Sequence, residues 1–417
     1  MRSPVVATTA DTPTRLSRNR NYNILWSSLL FSELGTEITF VAFPLLILAV
    51  GGAPWQMGLV AAAVAAAHMA SNVPAGVIAD RWDRKRVMVL CQAIRVVGLA
   101  SIGVALLLDA YSFPHVLVVA VVEGALSSVF EPAEHATLAQ VVPESQLGDA
   151  VARNTARPFI ATLLGPALAG FLFAWHRTIP FLADALMLAF SLVALLFLRL
   201  PPRTRERTEQ TSVGGDLVEG ARWLIGHRVI RTTMVWMVMA NTAFGALIIV
   251  VLATSGEQQV GAGQIGLTMA CVGAGGLLGA VLAGRLHAAL PPSVIIIGFS
   301  WIAALMTALM AFVPAGLPMG LLLAGAALFA PVANTVIMTY QLVVTPDEMR
   351  GRLSGLAGLC GGGAAVLGPL VGGLVMGAGQ HTAVLVCAGG LAVTALGTTL
   401  SRTLRTFPRA AAAEPVG

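Results

Sequence analysis

Six ionisable side chains fall where the chain is otherwise apolar: Glu33, Glu37, Arg95, Glu123, Glu131 and Asp184. A charge at the centre of a hydrocarbon layer costs about 2.5–3.5 kcal/mol on insertion scales, so each needs a compensating reason. Glu33 and Glu37 stand four apart and therefore share one helical face. Two carboxyl groups set together away from water can trade a proton near neutral pH, which is the chemistry of proton coupling. Glu123 and Glu131 are candidates for the same role or for contact with a substrate. Arg95 reads as a structural counter-ion, paired with Glu123 or Glu131. Glu131 also shares a face with His135, while Glu134 and His135 sit toward the end of their stretch, where water reaches. The second half of the chain has no Asp or Glu at depth, only Asn241, Asn334, Thr335, Tyr340 and Gln341.

The elements that hold these groups must be membrane helices. The 417 residues are 57% hydrophobic and 11% charged, against about a quarter charged in soluble domains. Mean hydropathy is +0.82. A helical span needs about 20 apolar residues. Twelve such stretches lie near 23–50, 55–79, 86–109, 113–140, 150–175, 179–199, 230–254, 264–286, 293–313, 317–342, 352–378 and 382–402. Little chain remains outside them, so no extramembrane domain is expected to host soluble chemistry. The fold class is all-α integral membrane, with twelve transmembrane helices.

Charge sets the orientation. Of 25 Lys and Arg, 23 lie on every second connection, including Arg153 and Arg157 after the fourth stretch. Only Arg177 falls on an intervening connection, and Arg95 lies inside a stretch. Positive charge resists translocation, so the basic connections and both termini are expected to be cytoplasmic, in a multi-pass protein of the plasma (inner) membrane. The net charge of +5 follows from this bias and from attraction to anionic lipid, worth about 1 kcal/mol per basic residue at the surface. It does not point to nucleic acid. Cys91, Cys271, Cys360 and Cys387 all fall within spans without metal-ligand spacing and read as small buried residues. The first 20 residues are polar, so the first span is expected to act as its own insertion signal.

The two halves repeat. Pro143-Glu144, Gly148, Gly165-Pro166 and Gly170 recur 203 residues later as Pro346-Asp347, Gly351, Gly368-Pro369 and Gly373. At the same offset Gly76 matches Gly279, and Glu131 matches Asn334. The expected organisation is a six-helix bundle over 1–199, a linker over 200–229 and a second bundle over 230–417. The linker opens with Pro201 and Pro202; Leu217, Ala221, Leu224 and Ile225 then form one face of a short amphipathic helix expected at the cytoplasmic surface. Two repeated six-span halves with a site between them is a transporter architecture.

Two motifs sharpen this. Gly76-Val-Ile-Ala-Asp80-Arg81-Trp-Asp83-Arg84-Lys85-Arg86 resembles the signature of the major facilitator superfamily between its second and third helices. Asp83 stands where common members have Gly, and this form is similar to the efflux branch containing macrolide and enterobactin exporters. The resemblance implies a cytoplasmic latch made by Gly76, Asp80, Arg81, Arg84 and Arg86. Gly76 would permit close helix approach, and Asp80 a contact available in one of two states. Leu163-Leu164-Gly165-Pro166-Ala167-Leu168-Ala169-Gly170 resembles the family's antiporter motif, with Ala161 and Ala169 replacing glycines. It implies export rather than uptake. Many family antiporters carry an arginine on the fourth span, where this chain has Glu123-Gly124.

The expected function is export of an amphipathic small molecule, such as a drug, antibiotic or siderophore, by proton antiport with alternating access. An uptake permease for a small nutrient and a non-transporting sensor or scaffold are the alternatives. The acids and the sparsely polar second half argue against a sugar or peptide site, which would need many hydrogen-bonding groups. No nucleotide-binding loop, nucleophile elbow or zinc motif occurs, so no enzyme activity, cofactor or metal is expected. The expected partners are the substrate, protons and membrane lipid, and the expected state is a monomer.

Overall fold

A computed structural model describes residues 16–143, 146–200, 222 and 224–407. Among them are helices and no strand. Local chemistry fixes where the helices start. Asn19 opens α1 (Arg20–Ala49), its side chain accepting the Tyr22 N–H at 3.1 Å. A proline at the first position opens α2 (Pro54–Arg81), where its missing N–H costs nothing. Asp83 caps α3 (Arg84–Leu107) by accepting the Arg86 N–H at 2.8 Å. Then follow α4 (Phe113–Val141), α5 (Leu147–Trp175) and α6 (Ile179–Phe197). The second half holds α7 (Arg228–Glu257), α8 (Ala262–Ala289), α9 (Pro292–Leu309), α10 (Leu317–Leu328), α11 (Ala330–Val344), α12 (Asp347–Val375), α13 (Gln380–Leu400) and the short α14 (Arg402–Arg405).

These helices make twelve spans, because α10 and α11 together form the tenth. Sequence alone gives that span as one run over 317–342. The structure breaks it at Phe329, two residues before Pro331, whose ring cannot accept the normal helical path behind it. Among the described residues, eleven spans have the length and apolarity to cross a membrane. The remaining one, α2, is 28 residues long and carries no Asp, Glu, Lys or Arg from Met57 to Pro74. Large apolar side chains such as Val97, Leu107, Phe197, Val281 and Leu400 face outward, as a lipid solvent allows.

Two six-span bundles result. In the first, α1 packs on α5 and α6, α2 on α4, and α3 on α4 and α6. In the second, α7 packs on α12 and α13, α8 on α10 and α11, and α9 on α10 and α13. The bundles meet through two symmetric pairs, α2 with α12 and α5 with α8. Glycines of the repeat make both seams. A methyl group on Gly373 would stand 2.9 Å from the Pro54 carbonyl oxygen, and one on Gly170 would stand 2.7 Å from the Gly266 Cα. The backbones touch directly, with no side chain between them.

Both seams lie at the end remote from residues 81–86, here the far end; the end with the basic connections is the basic end. One buried apolar cluster spans both bundles at the far end, joining Leu45 and Leu46 of α1 to Val250 of α7 and Met269 of α8. Toward the basic end the core splits. Tyr22, Leu29 and Met88 belong to a cluster of the first bundle, and Trp236, Ile296 and Tyr340 to one of the second. Gly148, Gly351 and Gly355 meet nothing within 4 Å. Gly76 also meets nothing within 4 Å, against the expectation of close packing there. The apolar core is divided between the bundles at that end, and the space beside Gly76 is open. Its repeat partner Gly279 does pack tightly, against the Leu328 carbonyl beside the break in the tenth span.

Candidate functional site

A cavity of about 550 Å³ opens in the first bundle toward the basic end, lined among others by Glu33, His68, Arg95, Glu131, Glu134 and Arg157. Its centre is an ion cluster on three helices. Arg157 of α5 donates from Nε and Nη2 to the two oxygens of Glu33 on α1, at 2.8 and 2.9 Å. The same Nη2 donates to Glu134 of α4 at 2.9 Å. Arg157 is 4% exposed and Glu134 6%. A fork-shaped guanidinium is suited to hold two carboxylates in one geometry.

Two expectations change here. Arg157 was expected on the basic connection; the structure places it nearly three turns inside α5, which begins at Leu147. Glu134 was expected near water and is instead buried against Arg157. Both residues lie inside the fourth and fifth stretches themselves, and the rotation of α4 and α5 turns these two side chains toward each other in the bundle interior. Charge balance was the available signal. With Arg95 as the lone internal cation, the first-half acids lacked partners.

The other candidates distribute around this cluster. Glu37, one turn above Glu33, accepts a hydrogen bond from the Thr162 hydroxyl of α5 at 2.8 Å. Gly165 lies directly on it: a methyl group there would stand 3.3 Å from the Glu37 Cα. The glycine of the Gly165-Pro166 bend thus fits around the candidate acid. Glu131 has a side chain 55% exposed to the cavity, 3.7 Å from His68 and 4.0 Å from His135. Glu123 is buried and accepts from Arg95 Nε at 2.8 Å, the pairing that sequence offered as the structural role of Arg95.

Arg95 is the hub of a second, deeper network. Its Nη1 donates to Ser32 at 3.1 Å and its Nη2 to Thr36 at 3.0 Å, both on α1. Gln92 accepts from it at 3.2 Å and donates to Ser191 of α6 at 2.8 Å. Asp184 of α6, fully buried, accepts from the Thr39 hydroxyl.

Asn334 is apart from all of these. It lines a second cavity of about 400 Å³ between α5 and the second bundle, with Phe159, Thr162, Asn241, Phe244 and Phe299. Pro158 borders both cavities, so α5 is the wall between them. The repeat position of Glu131 therefore carries an uncharged amide facing an aromatic, largely apolar space.

At the basic end, Arg84 donates to the Ala136 carbonyl of α4 at 2.9 Å. Lys85 donates to the Leu196 and Leu198 carbonyls of α6 at 2.7 Å. Lys85 thus sits at the C-terminus of α6, where unpaired carbonyls attract a cation. Arg81 and Arg86 are exposed. The side chain of Asp80 lies outside the described residues, as do Leu217 and Ala221 of the expected surface helix. Arg222 and residues 224–226 are helical, and Leu224 packs against Ile230, Met234 and Leu353. No group of three His, Cys, Asp or Glu able to hold a metal occurs among the described residues.

Residues 12–414 match the family described as transmembrane secretion effector. The chain is 27% identical over 430 residues to the multidrug efflux pump Tap of Mycobacterium tuberculosis, covering 96% of this chain and 98% of that protein. It is 26% identical over 357 residues to the enterobactin exporter EntS of Salmonella typhimurium, covering 81% and 84%. Among solved structures it resembles the nucleoside transporter NupG, with a TM-score of 0.75 at 14% identity over 92% of this chain and 99% of that one. An inward-facing, unoccupied bacterial homologue of the lysosomal transporter Spinster gives 0.67 at 16% identity, over 93% and 96%.

Proposed function

We propose that this chain, which belongs to the transmembrane secretion effector family of the major facilitator superfamily, exports an amphipathic small molecule in exchange for protons by alternating access. The observation that carries the reading is the ion cluster of Glu33, Arg157 and Glu134 on the wall of a cavity open at the basic end. Acids within a span and beside a water-filled cavity mark ion and substrate pathways. The seam closed at the far end and the cavity open at the basic end support an inward-open state, taking the basic end as cytoplasmic. Tap and EntS, by name an efflux pump and an exporter, support the outward direction. In this reading, Glu131 and Glu33 meet the polar part of the substrate at cavity entry. Asn334 and the aromatic wall of the second cavity receive its apolar part, so that the molecule spans α5.

Glu37 is proposed to carry the transported proton, with Glu33 and Glu123 next in line. Its Thr162 partner sits on the wall of the second cavity, so proton and substrate converge on one helix turn. Glu37→Gln mimics the protonated state. In reconstituted vesicles with an imposed pH gradient, it is expected to abolish concentrative export while downhill substrate exchange continues. Wild-type accumulation by Glu37→Gln would remove Glu37 from the coupling role. Equal loss of both modes would make it structural.

The orientation has its own test. With the native cysteines replaced, single cysteines at Ser3, Glu209 and Ala413 are expected to resist an impermeant thiol reagent in intact cells. One at Glu257 is expected to react. External labelling at position 209 would reverse the assignment and, with it, the inward-open description.

A further inference from the structure

Behind the cavity wall, Arg95 is the one described cation within electrostatic reach of two buried carboxyl groups, Glu123 and Asp184. All three are nearly or fully inaccessible. Arg95 satisfies Glu123 through Oε2, and Thr39 satisfies Asp184 through Oδ2. The other oxygen of each, Glu123 Oε1 and Asp184 Oδ1, is buried without a hydrogen-bond partner. The groups facing Asp184 are Thr39 and Gly35 from α1, Arg95 from α3 and Glu123 from α4. Arg157 of α5 is already engaged by Glu33 and Glu134. Two carboxylates and one guanidinium would leave a net negative charge in a water-excluded interior, with two unsatisfied acceptors. Burial makes both costly. One added proton removes the charge and turns an orphaned acceptor into a donor.

We propose that Asp184 is a proton-binding site of the first bundle, protonated in the inward-open state, and that Arg95 reports its protonation to the cavity. The transfer is an O–H bond formed or broken at Asp184 Oδ1, the proton exchanging with hydronium and water of the cavity past Arg95, which lines it. Space argues against a metal cation in the same place, since Gly35 already presses against the Asp184 carboxyl group. Arg95 has one face on this buried set and the other on Ser32 and Thr36, which line the cavity next to Glu33. Loss of the proton sets a second anion in competition for the guanidinium. Arg95 then moves inward, and its bonds to Ser32 and Thr36 break. The α1 wall, with Glu33 on it, is thereby released from α3. This rests on proton coupling as the function, with a storage site distinct from Glu37.

The test needs no substrate. Infrared difference spectra of the purified full-length protein, in light and heavy water at neutral pH, reveal protonated carboxyl groups by their carbonyl stretch. Asp184→Asn is expected to lose one such band relative to wild type. Glu123→Gln is expected to lose the same band, because removing the competing anion leaves Asp184 ionised beside Arg95. The second variant keeps the test valid if Asp184→Asn does not fold. Retention of the band in either folded variant would overturn the proposal, as would its disappearance on replacing choline with sodium. If the band behaves as expected while vesicles show no pH-driven transport, the site stands and the coupling function fails.

Discussion

Arg157→Met is expected to abolish transport and to destabilise the protein by about 3–5 kcal/mol, the usual result of removing one partner from a buried ion pair. The size follows from geometry. Arg157 is 4% exposed and makes three charge-assisted hydrogen bonds to Glu33 and Glu134. Without it, two carboxylates face each other across a low-dielectric gap with no cation between them. Adding Glu33→Gln and Glu134→Gln to Arg157→Met removes that repulsion and is expected to recover most of the stability. Transport is expected to stay absent, because the ionisable groups are gone. Thermal unfolding in detergent and vesicle uptake separate the two effects. Recovery of pH-driven transport in the triple variant would show that the cluster is scaffolding alone.

Gly170→Leu is expected to lower transport at least about tenfold by opening the far seam, an equilibrium shift of about 1.4 kcal/mol or more. A Cβ at Gly170 would lie 2.7 Å from the Gly266 Cα and 2.8 Å from its nitrogen. Backbone atoms cannot rotate aside as a side chain would, so the bundles must separate there. Rigid bundles that part at one end close at the other. Spin labels at Ala110 and Pro314 are therefore expected to move apart, and labels at Arg86 and Pro291 to approach. Unchanged distances with normal transport would show that α5 and α8 do not form the far-end gate.

Most of the fold is legible in the residues themselves. Apolar runs of the right length, basic charge on alternate connections and glycines repeated at 203 residues lead to twelve spans in two bundles. Those signals are local or periodic, so they survive without tertiary information. The pairing of Arg95 with Glu123 was also within reach, since a lone cation among buried acids must find one of them. The site was only half legible. Arg157 was absorbed into the charge pattern of its connection, because hydropathy places a helix end without saying which way its last polar residues point. Glu134 was discounted for the same reason. The close fit of Gly165 around Glu37, and the separation of Asn334 from its repeat partner Glu131 into different cavities, are facts of helix rotation that a linear pattern does not record. The open space beside Gly76 is likewise a fact of how the bundles sit, which a linear pattern does not record.

The seams between the bundles meet backbone to backbone at Gly170 on Gly266 and Gly58 on Gly373, while among the described residues the buried acids and their arginines belong to the first bundle. A joint that reads backbone at its glycines and apolar side chains around them, such as Leu45 with Val250, places few demands beyond those positions on the piece across it. A gene recombined within the 200–229 linker could therefore bring in a foreign second bundle, provided its glycines kept their register. The hybrid would combine a new apolar wall with the old ion cluster. Under the proposed reading, changes of cargo in such a lineage need not wait for coupling to be reinvented: altered cargo should map to the second half of the gene and altered proton coupling to the first.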